Sequence, residues 1–177
     1  ALYGSLSASH GDIWDFLHVK NWHEMPIEGT GLTIADAKKA NFNYAAPLDM
    51  MNISANYSDE WLSGNDNEVF MENCKQALMT GEPGFSFNFG DKADETLRNA
   101  CTEVTSSDDS DVCNLGSVNL ANVDTISEFK DVVTLASKFL VCGLIRAHLP
   151  YSKVGKVRQQ NSRLGLGLMG IHEWLLK

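Results

Sequence analysis

The chain switches repeatedly between short runs of small and β-favouring residues and longer runs with helical spacing, and that alternation points to an α/β architecture. "ALYGSLSAS" (1–9) predicts a buried strand, and "HGDIWDFLHVKN" predicts a helix with Ile13, Trp14, Phe16 and Leu17 on one face. Residues 21–47, with Pro26, Gly29 and Gly31, read as a long excursion. "LDMMNISANYS" predicts a second buried strand, and Ser58 starts a helical stretch. "DNEVFMENCKQALMTGEPG" predicts a helix with Phe70, Cys74, Ala77 and Leu78 on a shared face, stopped by Gly81 and Pro83. "GFSFNF", 99–103 and 113–120 are further strand candidates. "TISEFKDVVTLASKFLVCGLIRAHLP" is the strongest helical pattern: Thr125 and Glu128 suit a capping box, and Pro150 ends it. Its second half is apolar nearly all round, which predicts burial on several sides. Helices are expected at 151–160 and 166–177. No internal repeat or linker interrupts the pattern.

A chain of 177 residues, 44% apolar and 21% charged, is sufficient for a sizeable core. No run approaches the roughly 18 apolar residues that span a bilayer. A net charge of −9 argues against binding a nucleic-acid polymer, which needs a basic footprint, but not against a single nucleotide. Four cysteines without an export signal predict reduced thiols in a cytoplasmic setting. Both ends read as cuts, so residues 1–177 are expected to be a single segment of a longer protein.

The most reactive segment is "NACTEVTSSDDSDVCNLGS" (99–117). If 99–103 is extended, Asn99, Cys101 and Glu103 face the same way. An amide can hold a hydroxyl, a carboxylate can take its proton, and a thiol can act as nucleophile or hydrogen-atom carrier. Cys113 could return on a neighbouring strand as a second redox thiol. On spacing alone, plain packing is the stronger reading of the two cysteines. A thiol–disulfide oxidoreductase is a further alternative, weakened by the absence of C-x-x-C. The histidines are scattered and the cysteines form no C-x2-C pair, a pattern that does not suit a metal site. Cys74 and Cys142 are expected in the core. Asp108, Asp109 and Asp111 read as a solvated turn, since the Gly and distal Glu of a calcium loop are missing. "GLGLMG" (165–170) matches G-x-G-x-x-G but follows a basic, helix-like stretch, so a closely packed helix start explains its glycines better than a dinucleotide.

"NACTEV" followed by "CNLGSVNLA" resembles the active-site finger loop and following strand of the large, catalytic chain of ribonucleotide reductases. "HGDIWDFLHVKN", "LDMMNISANYSDEW", "MTGEPGFSFN" and "NSRLGLGLMG" agree in order, over essentially the whole chain. The resemblance implies the middle portion of a ten-stranded α/β barrel with the finger loop inside. It implies Cys101 as the thiyl-radical residue that removes the substrate's 3′ hydrogen, and Glu103 as base for the 3′-hydroxyl. Asn99 would hold the ribose hydroxyls, and Cys113 would be one of two thiols oxidised to a disulfide. The short Cys101–Cys113 separation resembles the adenosylcobalamin-dependent class, ahead of the class served by a separate metal-containing radical subunit. Family members often carry Pro and Gly where this chain has Ala100 and Thr102. The second redox thiol would lie before Ala1, and the phosphate-binding segment and re-reducing thiols after Lys177. Implied partners are a ribonucleotide, the remaining barrel segments or a complementing chain, a thioredoxin-like reductant, and possible homodimer formation. The isolated chain is expected to be inactive and to expose apolar faces. A non-catalytic remnant acting as an interaction module is the alternative.

Overall fold

Alternate side chains of a strand point to opposite faces, and in the first half of this chain the two sets differ sharply in polarity. The computed structural model describes residues 2–64 and 67–177; Ala1 and Asp66, included in the expected first strand and helix, lie outside them. The chain divides into two units, Ala1–Ser107 and Asp108–Lys177.

In the first unit, β1 (Leu2–Ser7), β2 (Met51–Ser58) and β3 (Gly84–Asn88) form a parallel sheet in that order. Parallel neighbours need long crossovers. The first contains α1 (Ile13–His18) and α2 (Ile34–Ala40), the second α3 (Asp59–Ser63) and α4 (Glu68–Thr80). The register aligns Leu6 with Ala55 and Phe85, and Tyr57 with Phe87, on one face. That face packs Ala8, Ala55 and Tyr57 against Ile13, Leu17, Phe70 and Trp61. Full burial of side chains such as Leu17 contributes about 1.5–3 kcal/mol each. The other face carries Tyr3, Ser5 and Ser7, then Asn52, Ser54, Asn56 and Ser58, then Ser86 and Asn88. Asn56 Nδ2 donates to Ser5 Oγ across the strands, at 3.0 Å. The expected strands are therefore present, but they are half polar, not buried throughout.

Within α4 the buried positions are Asn73 and Gln76, whereas Leu78 is exposed. The helix thus turns a polar edge inward, where Asn73 Nδ2 donates to the Tyr57 hydroxyl at 3.0 Å and Gln76 Nε2 donates to Glu72 at 2.7 Å. Gly81 adopts φ 88° and closes the helix, as expected. The excursion at 21–47 contains α2, which the sequence reading did not anticipate. Thr33 caps it, accepting from Asp36 N while Asp36 accepts from Thr33 N.

In the second unit, β6 (Cys113–Asn119) pairs in parallel with β7 (Arg163–Met169) through α5 (Ile126–Arg146) and α6 (Ser152–Asn161). Thr125 caps α5, but the Glu128 carboxylate accepts from Asp124 N instead of Thr125 N. Leu140 and Leu144 are buried, while Leu135, Phe139 and Ile145 are exposed. The expected burial of α5 on several sides is not found, because the two-stranded sheet of this unit covers only one side. The helix expected over 166–177 is likewise replaced by β7 and the short α7 (Ile171–Leu175). Leu164, Leu166 and Leu168 alternate with Gly165 and Gly167, a period of two. A Cβ on Gly165 would lie 2.8 Å from Leu115, so the glycine admits its neighbour on β6. Gly170, at φ 68°, ends the strand where a Cβ would meet Asn119 at 2.4 Å. No helix among the described residues is long and apolar enough to cross a membrane.

Burial pushes the Tyr57 hydroxyl up to about 12, partly offset by the Asn73 hydrogen bond. Its neutral form is favoured in the fold, so its contribution is complete below pH 10 and is lost as pH rises to 12. The expected loss is about 2–3 kcal/mol. Ultraviolet titration should show a tyrosine ionising only near pH 12, absent in Tyr57→Phe; ionisation of every tyrosine near pH 10 would contradict the packing.

Candidate active site

The segment 99–104 links two very short antiparallel strands, β4 (Leu97–Arg98) and β5 (Thr105–Ser106), with Arg98 opposite Thr105. It is a hairpin loop, not the extended strand expected over 99–103. Asn99 is the reason: its carbonyl accepts from Thr102 N at 3.0 Å and its side-chain oxygen accepts from Val104 N at 3.1 Å. Both oxygens of one residue thereby turn the chain back, a habit of Asn in turns. Asn99, Cys101 and Glu103 consequently share one loop instead of one strand face. Asn99 is half-buried, while Cys101 and Glu103 are exposed. With its oxygen engaged, Asn99 has its amide N–H groups to offer a ligand.

Thr102 sits at φ 72°, a left-handed conformation that a β-branched residue adopts at a cost of order 1–3 kcal/mol. Glycine, expected here from the resemblance, would adopt it without strain.

The hairpin is tied to the polar face of the sheet at two levels. At its base Arg98 donates from Nε to Ser86 Oγ (2.7 Å), from Nη1 to the Glu95 carbonyl (2.7 Å), and from Nη2 to the Phe87 carbonyl (3.1 Å) and Asn88 Oδ1 (3.2 Å). Burial draws the Arg98 pKa below its usual value, with Tyr3 and Glu95 opposing. At the tip Asn52 Nδ2 donates to the Ala100 carbonyl at 2.6 Å. Two clefts open beside the hairpin. One, of about 420 Å³, is lined by Tyr3, Ser5, Arg98 and Ala100; the other, of about 360 Å³, by Ser7, Asn56, Asn88 and Thr96. Tyr3 Oη, Ser54 Oγ and Asn56 Oδ1 are buried with no hydrogen-bond partner among the described residues. A face of this kind has hydrogen-bonding capacity to spare.

Sequence reasoning missed Arg98, Asn52 and this polar face. The signal was the period-two alternation in "YGSLSAS" and "MNISANYS", where every second residue is Tyr, Ser or Asn.

Cys113 belongs to the second unit. It is half-buried at the head of β6, opposite Arg163, with Sγ 3.8 Å from the Asn114 carbonyl. The acidic loop before it is only in part the solvated turn expected: the Asp109 side chain is exposed, whereas that of Asp111 is buried. Asp111 accepts from Arg163 Nε (2.6 Å) and Asn161 Nδ2 (2.9 Å), Asp108 accepts from Asn161 (3.2 Å), Asp109 pairs with Lys153, and Ser110 meets the Tyr151 hydroxyl at 3.0 Å. Asp108, Asp109 and Asp111 thus tie the loop to α6 and β7, and Ser110 ties it to Tyr151, the residue before α6. Cys74 is half-buried and Cys142 is exposed, which corrects the expected core position of Cys142. Among the described residues no group of three or more His, Cys, Asp or Glu is placed to hold a metal ion.

These features describe a mixed α/β protein with an exposed thiol on a docked hairpin. Residues 64–177 match the ribonucleotide reductase barrel domain, and the chain belongs to that family. It is 29% identical over 125 residues to the ribonucleoside-diphosphate reductase subunit alpha of Synechocystis sp. (strain ATCC 27184 / PCC 6803 / Kazusa), a match covering 64% of this chain and 16% of that protein.

Thr102→Gly tests the geometry of the loop. Relief of the left-handed strain should offset the roughly 0.5–1 kcal/mol that glycine's added freedom costs. The melting temperature should hold or rise. A fall of several degrees would show that Thr102 is not in this conformation.

Proposed function

We propose that this chain is part of the catalytic barrel of a ribonucleotide reductase, acting as a single segment, and that the 97–106 hairpin is its finger loop. The observation that supports this best is the exposed Cys101 at the tip of a hairpin held over a polar sheet face. A thiol is the side chain that can give and recover a hydrogen atom. As a thiyl radical, Cys101 takes hydrogen from C3′ of the ribose and becomes a thiol; it returns that hydrogen at the end. Glu103, on the same loop, accepts the 3′-hydroxyl proton, and the Asn99 amide donates to the ribose hydroxyls. Cys113 and a second thiol outside these residues supply two electrons and two protons. They become a disulfide while the 2′-hydroxyl leaves as water, and a thioredoxin-like reductant in a cytoplasmic setting restores them.

The Synechocystis relative is named as a diphosphate reductase, which supports a ribonucleoside diphosphate as substrate. The short separation of Cys101 and Cys113 supports, by resemblance, adenosylcobalamin as radical source. The clefts of about 420 and 360 Å³ beside the hairpin are too small to frame a corrin. The relative's designation as an alpha subunit supports the other source, a partner subunit. Turnover by the 177-residue chain alone is not expected.

In the full enzyme, Cys101→Ser should reduce deoxyribonucleotide formation at least about a thousandfold, the scale at which an essential group is lost. Because the side chain is exposed, the melting temperature should change little. Activity within tenfold of the parent would remove Cys101 from the chemistry.

A further inference from the structure

The bonds inside the 99–104 loop set its shape but not the direction in which its tip points. Thr102 N to Asn99 O and Val104 N to Asn99 Oδ1 are both internal to the loop. Arg98 fastens the base to β3, two residues and several rotatable bonds before the Ala100–Cys101 peptide unit. The contact at the tip is that of Asn52, whose side-chain amide donates to the Ala100 carbonyl at 2.6 Å.

That carbonyl belongs to the peptide unit that also contains the Cys101 nitrogen. The unit is planar, so holding its C=O restricts the directions open to its N–Cα bond, and with them the placement of the Cα that bears the Cys101 side chain. Asn52 is itself well placed for this. It stands near the start of β2, in register with Tyr3 of β1 and two residues before the stretch of β2 that also pairs with β3. The ladder that holds β2 to β1 runs from Met51 to Asn56, a longer support than the loop's own strands β4 and β5, each only two residues long.

We propose that Asn52 is a positioning residue for the Cys101 thiol: through one hydrogen bond to the Ala100 carbonyl it sets the orientation from which the thiol meets the ribose. The meeting with the ribose rests on the reductase reading above; the control of Cys101 orientation does not. One neutral hydrogen bond shifts such a docked–undocked equilibrium about fivefold. It contributes modestly to overall stability, so its loss should loosen the tip without unfolding the unit.

The test places a nitroxide on Cys101 in the full chain, with Cys74→Ser, Cys113→Ser and Cys142→Ser, and records its electron paramagnetic resonance line shape. A matching chain labelled at Cys142, with the other three cysteines replaced, is the control. Asn52→Leu removes the donor without adding charge, and Asn52→Asp removes it with nearly the same shape. Both should at least double the mobility of the Cys101 label and leave the Cys142 label and the melting temperature unchanged. An unchanged Cys101 line shape in Asn52→Leu would overturn the proposal. So would a response confined to Asn52→Asp, which would report charge and not the lost bond. In the full enzyme Asn52→Leu should lower kcat with KM within about twofold. If the label responds while Cys101→Ser remains active, the positioning role stands and the reductase reading fails.

Discussion

Arg98 joins the hairpin to the sheet. Its guanidinium meets Ser86 and Asn88 side chains and the Phe87 carbonyl on β3, and the Glu95 carbonyl within its own segment. Five N–H donors in a rigid fork suit one residue to several fixed acceptors at once. Without that fork, two-residue strands would be a weak hairpin, since isolated two-stranded ribbons are marginal in water. The location of Cys101, and hence any chemistry on it, depends on this one cation being satisfied on the polar face.

That face is itself the unusual feature of the fold. Parallel sheets are ordinarily apolar on both sides because helices cover both. Here helices cover the side bearing Leu6, Ala55, Tyr57 and Phe85, while the opposite side is a field of Ser, Asn and Tyr. A polar sheet face is expensive to cover with apolar side chains, but it suits a hairpin that brings an arginine and backbone carbonyls. It also suits a hydroxyl-rich ligand, and the unmet groups on Tyr3, Ser54 and Asn56 fit that use.

The α/β class, the helix starts at Ser58 and Thr125, and the strand at Cys113–Asn119 were legible because periodicity and caps are local signals. The capping pattern "TIAD" before α2 was equally local and was overlooked. The errors came where local pattern met tertiary choice. "NACTE" has strand-like alternation, but Asn99 has both oxygens occupied in turning the chain. "LGLGLM" resembles a helix start, yet β6 recruits it as a parallel partner through its glycines. Of the candidate site, Asn99, Cys101 and Glu103 could be singled out from the sequence for the chemistry their side chains offer. The residues that hold them, Asn52 and Arg98, could not, because an amide on one strand and an arginine on another announce nothing until the topology is known.

The loop bearing Cys101 is docked and ordered on the polar face. Hydrogen exchange of the Thr102 and Val104 amides, measured with and without Arg98→Met, tests that docking most directly. Both amides, bonded to Asn99 O and Oδ1, should exchange at least about tenfold slower than in an unstructured peptide. Arg98→Met should abolish that protection while leaving the amide of Tyr57 in β2 unchanged. Exchange of Thr102 and Val104 at the free-peptide rate in the parent chain would contradict the docking.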